Sequence, residues 1–243
     1  MSEIRYVEEV PPDNWLLVRL ASNERISLPY GVKVEFTART DRRDNFKILE
    51  GVHKGKSASV SEKSPTTSYL VSNVRHLPSG NVEFDLKSQA VKFGNLGPFN
   101  AFSGGGYNGF TPVAAGRYAL AIPAFPTAQT RSEYSQWTRL HRSWFRIGTD
   151  LSGSRFLHPG QISDGCVTVR AFIYDGAPGA SLPNGFSDLP GFVNGPAKGL
   201  LGLPLPARRA PVVGYDELYR YLILRRGSDL SVGTLTVTDT GRL

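Results

Sequence analysis

Glycine and proline interrupt this chain so often that long helices do not fit between them. The 243 residues include 26 glycines and 17 prolines. Glycine raises the entropic cost of ordering a helix or strand interior, and proline removes a backbone donor and breaks the helix ladder. Short strands joined by tight turns tolerate that spacing best. Hydrophobic residues make up 40% and aromatic residues 11%, so a sizeable core is available and disorder is not expected. The length fits one large domain or two small ones.

The first 80 residues read as short strands. WLLVRLA (15–21), VKVEFTA (32–38) and FKILEGV (46–52) are apolar or β-branched runs of strand length between polar turns, and ASVSEKS and SYLVSNV add two weaker ones. Five such strands predict a small β domain over residues 1–80, of SH3-like kind, serving either as a binding module or as a packing appendage. HLPSG (76–80) is the boundary, a polar turn with Pro and Gly. Residues 81–243 open with a hairpin, VEFDLKSQAVKF, alternating through Val82, Phe84, Leu86, Val91 and Phe93. A Gly/Asn/Phe-rich loop spans 94–110, and YALAI and CVTVRAFIY (166–174) are strands. RSEYSQWTRLHRSWFRIG stays open between strand and short helix, and 176–211 reads as a long loop. One helix is predicted, GYDELYRYLILRR (214–226). There Tyr215, Leu218, Tyr219, Leu222 and Ile223 form one apolar stripe, Arg225 and Arg226 suit the negative end of the dipole, and Gly227 is the stop. VGTLTVTD (232–239) is a closing strand. The expected class is mainly β with one late helix.

An excess of 28 Lys+Arg over 21 Asp+Glu gives a net charge of +7 and a pI near 9.6. The basic residues lie in scattered pairs such as Arg42-Arg43, Arg208-Arg209 and Arg225-Arg226, without a run of five. Such a diffuse field suits an anionic wall or membrane surface better than nucleic acid, which is not an expected partner. MSEIRYVEEVPPDNW shows no basic segment followed by an apolar one, so no signal peptide is visible. No apolar stretch approaches the roughly 20 residues of a membrane span. A trimmed leader, another export route and an internal location all stay open.

A single cysteine excludes an internal disulfide framework and every multi-cysteine metal site. A lone thiol is either an inert buried side chain or a nucleophile. Cys166 sits in RFLHPGQISDGCVTVR (155–170), where a Gly-containing turn enters a strand, with His158 eight positions upstream across Pro159-Gly160. Nucleophilic sulfur chemistry needs a thiolate, a base within reach and N–H donors for the oxyanion. His158 is the candidate base. Gly165 lets the chain turn and lets a carbonyl approach the Gly165 and Cys166 amides, and Ser163 either fixes the loop or bonds a reacting group. Arg155 and Arg170 flank the loop, as carboxylate-binding residues or as ordinary surface charge. Trp144, with Tyr134, Trp137 and Phe145, either lines a cleft or fills core, and Tyr107 and Phe110 stand in a loop suited to cover a site. No pattern for a phosphate cradle or a papain-type Cys-Trp context occurs.

Residues 155–170 resemble the active-site segment of the L,D-transpeptidase catalytic domain (YkuD) family, in which a His precedes a Ser-His-Gly-Cys motif and a strand. His158, Ser163, Gly165 and Cys166 match those positions. Further landmarks follow in order: the hairpin 82–93, Thr111-Pro112 with Gly116, the helix YDELYRYL, and Gly233-Thr234 with LTV. The resemblance covers about residues 81–243. It implies a β-sandwich with one late helix and a cysteine acyltransferase, an L,D-transpeptidase or L,D-carboxypeptidase. The substrates would be peptidoglycan stem peptides in the periplasm or cell wall, with no cofactor and no metal. Cys166 would be the nucleophile, His158 the base that lowers its pKa, and the Gly165 and Cys166 amides the oxyanion donors. Arg155, Arg170, Tyr107 and Trp144 would contact substrate. Asp164 stands where the motif has its second His, Pro159 where a small polar residue is usual, and Thr168 where many members have Arg. The His-to-Cys gap is also short, as in branches that include antibacterial effectors of secretion systems, for which an immunity or secretion partner would be expected. A catalytically inactive wall-binding module on the same scaffold is the alternative.

Overall fold

A computed structural model describes residues 2–11, 13–74, 76–104, 111–126, 140–148, 155–160, 163, 165–170 and 213–243. The first part is a seven-stranded antiparallel sheet of β1 (Glu3–Val7), β2 (Trp15–Leu20), β3 (Arg25–Pro29), β4 (Lys33–Thr40), β5 (Arg43–Ile48), β6 (Ser57–Ser61) and β7 (Leu70–Val71). Their order across the sheet is β3-β2-β6-β5-β4-β1-β7. Period-two alternation sets which face is buried: Leu16, Val18, Leu20, Val34, Phe46, Ile48, Ala58 and Val60 all point into the core. The predicted five-stranded SH3-like unit gains β1 and β3. Both escape a search for apolar runs, because EIRYV and RISLP each carry a charged residue at the start of a short segment.

The second part is a closed barrel rather than the expected sandwich. Its strands are β8 (Gly80–Asp85), β9 (Ala90–Phe93), β10 (Leu96–Phe102), β11 (Gly116–Ala121), β12 (Phe145–Ile147), β13 (Phe156–Gly160), β14 (Val167–Arg170) and β15 (Ser231–Thr238). They run β10-β14-β13-β12-β11-β15-β8-β9 around the closed sheet. The difference lies in one segment. LGPFNAF, read from the sequence as loop, is β10, and it pairs with β9 on one side and β14 on the other. Those pairings remove the two free edges that a sandwich would leave. The predicted hairpin is β8–β9, and register stacks Leu235, Val82 and Phe93 in one row and Val237, Phe84 and Val91 in the next, all buried.

The helix α1 (Val213–Ile223) is the predicted one, and all five residues of its apolar stripe are buried. Arg225 closes it as the dipole argument requires. Its Nη1 donates to the Tyr221 carbonyl at 2.6 Å, and its guanidinium lies 3.7 Å over the Tyr221 ring. Arg226 turns elsewhere, for its buried guanidinium donates to the Tyr30 carbonyl at 2.9 Å and pairs with Glu50 at 3.2 Å. Chain past the helix is thereby tied to the N-terminal sheet. A second tie joins Asp13–Trp15 to Arg142 and Ser143. Buried side chains of both sheets form one continuous apolar cluster. Among the described residues, no helix is long and apolar enough to cross a membrane.

Candidate functional site

His158 lies on β13, and Cys166 is the bend residue directly before the neighbouring parallel strand β14. Pro159-Gly160, read from the sequence as a turn, instead extends β13, and the register Leu157↔Val167, His158↔Thr168 fixes which side chains share a face. Val167 and Val169 point into the barrel core. By alternation, Thr168 projects on the other face, beside His158. That face is covered as well, for His158 is 3% exposed and Thr168 0%; Cys166 is 6% exposed. Gly165 holds φ at +76°, a left-handed conformation that a side chain disfavours, directly before the cysteine. The Ser163 hydroxyl donates to the Cys166 carbonyl at 2.6 Å, so it braces the turn.

The hydrogen bonds of His158 assign its tautomer. Nδ1 lies 2.8 Å from the Pro159 carbonyl oxygen. A carbonyl only accepts, so Nδ1 carries the proton and Nε2 presents its lone pair. Nε2 in turn accepts from the Thr168 hydroxyl, 3.1 Å away. Burial pushes the imidazole pKa down to about 4, opposed in part by the bond to the Pro159 carbonyl. At neutral pH the ring is therefore uncharged, with Nε2 turned to the Thr168 hydroxyl. The Cys166 Sγ accepts from the Phe156 N–H at 3.4 Å.

Trp144 stacks on His158, with ring centroids 4.2 Å apart and planes 18° from parallel, and meets Phe156 edge-on at 5.7 Å. It is 7% exposed. Its place is therefore behind the base, and its indole N–H donates to the His141 carbonyl at 2.7 Å. Arg155 is half-buried and reaches away from β13 to the Pro112 carbonyl (3.2 Å) and the Thr111 hydroxyl (3.3 Å). The backbone of Arg170 ends β14, but its side chain lies outside the described residues, as do Tyr107, Phe110, Tyr134, Trp137 and Asp164. Two members of the site were not legible as such. Thr168 stood out in the sequence only as a departure from the family pattern, and the Pro159 carbonyl is a backbone group that composition cannot flag. Among the described residues, no three of His, Cys, Asp and Glu converge as a metal would require. Comparison of the chain with protein-family models, curated proteins and solved structures gave no match.

Proposed function

We propose that this protein is a cysteine acyltransferase of L,D-transpeptidase or L,D-carboxypeptidase type, acting on peptidoglycan stem peptides. The observation that supports the reading is the His158 tautomer: Nδ1 holds the proton and Nε2 presents its lone pair to Thr168, two residues along the chain from Cys166. His158 accepts the thiol proton as Sγ attacks the carbonyl of the third stem residue, forming an S–C bond. The tetrahedral oxyanion is held by the Gly165 and Cys166 amides, presented by the left-handed turn. His158 returns the proton to the leaving nitrogen, the C–N bond breaks, and D-alanine departs. An acceptor amine or water then attacks the thioester, gives its proton to Nε2 and releases Sγ. Arg155 and Arg170 supply charge for stem-peptide carboxylates. On this reading the barrel is a closed relative of the L,D-transpeptidase sandwich, the place of work is periplasm or wall, and the +7 charge favours an anionic wall.

Incubation with tetrapeptide muropeptides tests this. Release of D-alanine by the wild type, and its loss in Cys166→Ser, is the expected result; unchanged muropeptides would refute it. A carbapenem should add one covalent mass to Cys166. The second reading, an inactive wall-binding module, is favoured by the Thr168 hydroxyl already engaging Nε2 and by the burial of the thiol. It predicts retention on purified sacculi together with a thiol that resists both carbapenem and alkylation.

A further inference from the structure

The turn that carries Trp144 is held from outside the barrel. Ser143 is the fixed point. Its hydroxyl accepts from the Trp15 indole N–H at 3.0 Å and donates to the Asp13 carbonyl at 2.5 Å. Its carbonyl accepts from the Tyr215 hydroxyl of α1 at 2.6 Å, and its amide donates to the Leu140 carbonyl at 2.8 Å. Arg142, one residue earlier, pairs with Asp13 at 3.2 Å. Trp15 is the first residue of β2, and both it and Ser143 are buried. The next residue after this anchor is Trp144, whose indole lies against the His158 ring. Residues 140–144 have no strand ladder of their own, so their placement depends on these bonds.

We propose that Asp13–Trp15 of the N-terminal sheet brace the site, with Trp15 and Ser143 acting as positioning residues that seat His158 through Trp144. The physical route is short and contiguous: indole to hydroxyl, one peptide unit, then indole on imidazole. A seated Trp144 does two things to the ring. It blocks rotation out of the Pro159 and Thr168 hydrogen bonds, and it excludes water, which keeps the imidazole neutral. Among the described residues, the groups placed against the ring are Trp144, the Pro159 carbonyl and the Thr168 hydroxyl, none of which carries a charge. The sequence left the first 80 residues open between a binding module and an appendage. The seam assigns them a part in the chemistry, an inference that rests on His158 being the base.

The test reads the imidazole itself. Full-length protein labelled with 13C-histidine is titrated by NMR, with the His158 signal assigned by its loss in His158→Gln. Wild type is compared with Trp15→Phe, Ser143→Ala and Ser143→Thr. Wild-type His158 should titrate at about 4. Trp15→Phe and Ser143→Ala should raise the midpoint by about one unit or more as water reaches the ring, and Ser143→Thr, which keeps the hydroxyl, should restore it. Turnover, once measured, should lose kcat with little change in KM. Midpoints equal to wild type in folded Trp15→Phe and Ser143→Ala would overturn the proposal. Should Ser143→Ala not fold, Trp15→Phe decides, since it retains a ring at the seam and removes only the donor. Failure of muropeptide turnover would leave these midpoints readable, so the two ideas fail separately.

Discussion

Burying a neutral histidine makes folding stability depend on pH in a direction and range set by His158. Its pKa is about 4 in the folded protein and about 6.5 when the chain is unfolded. Between those values the unfolded chain binds the extra proton, so stability falls as pH falls. From the two pKa values, the loss relative to neutral pH is about 2 kcal/mol at pH 5 and about 3 kcal/mol at pH 4. His53 and His76, also pushed down chiefly by burial, add losses of the same sign. The perturbation that isolates His158 is His158→Gln, whose amide can still donate to the Pro159 carbonyl and accept from Thr168. Urea unfolding of both proteins at several pH values between 7.5 and 4.5 gives the difference in stability, in which the other histidines cancel. The variant's stability should gain on that of the wild type by about 2 kcal/mol between pH 7.5 and 5. A difference that stays constant over that range would refute the burial argument. In the proposed mechanism the same pKa sets the acid limit, because His158 must be neutral to take a proton. The acid limb of kcat/KM should therefore fall near pH 4 instead of the 6 to 7 of an exposed imidazole.

Three further perturbations follow from single positions. Gly233→Ala would place a Cβ 2.3 Å from the Gly80 carbonyl oxygen on the paired strand. Two backbones cannot separate cheaply there, so thermal unfolding should show a loss of about 1–3 kcal/mol or more. Gly165→Ala should cost about 1–2 kcal/mol for a left-handed residue with a side chain, and carbapenem labelling of Cys166 should fall further than stability does. Asp85 is buried and accepts from the Lys87, Ser88, Thr240 and Gly241 amides and the Thr238 and Thr240 hydroxyls. Burial alone would raise its pKa, but these donors hold it far below the usual carboxylate range. Its contribution is thus present above the ordinary carboxylate pKa and lost only in strong acid. Asp85→Asn should lower the melting temperature at neutral pH, and the gap to wild type should close well below pH 4.

The parts of the fold legible in the sequence are those in which local chemistry decides. The stripe from Tyr215 to Ile223 has one periodicity, and the helix buries all of it. Val82 to Phe93 alternates around a turn, and the hairpin forms there. Leu96–Phe102 was not legible, because Gly97 and Pro98 read as loop and its strand character comes from partners on both sides. Likewise, His158-Pro159-Gly160 has turn composition, yet the parallel partner β14 holds it extended. Trp144 stands out in the sequence, but with core or cleft left open. Only the tertiary structure shows that it stacks on His158.

By itself the sequence determined a mainly β chain with one late helix, and the residues from which a thiol and an imidazole can be brought together. Composition and periodicity act over a few residues, and those features need nothing more. Tertiary structure decided that the second sheet closes through β10, that Nδ1 of His158 carries the proton, and that Trp15 bonds to Ser143, next to the Trp144 that stacks on His158. Each of those depends on which segments pair across many tens of residues. Loop closure and burial choose those pairings only when the whole chain folds.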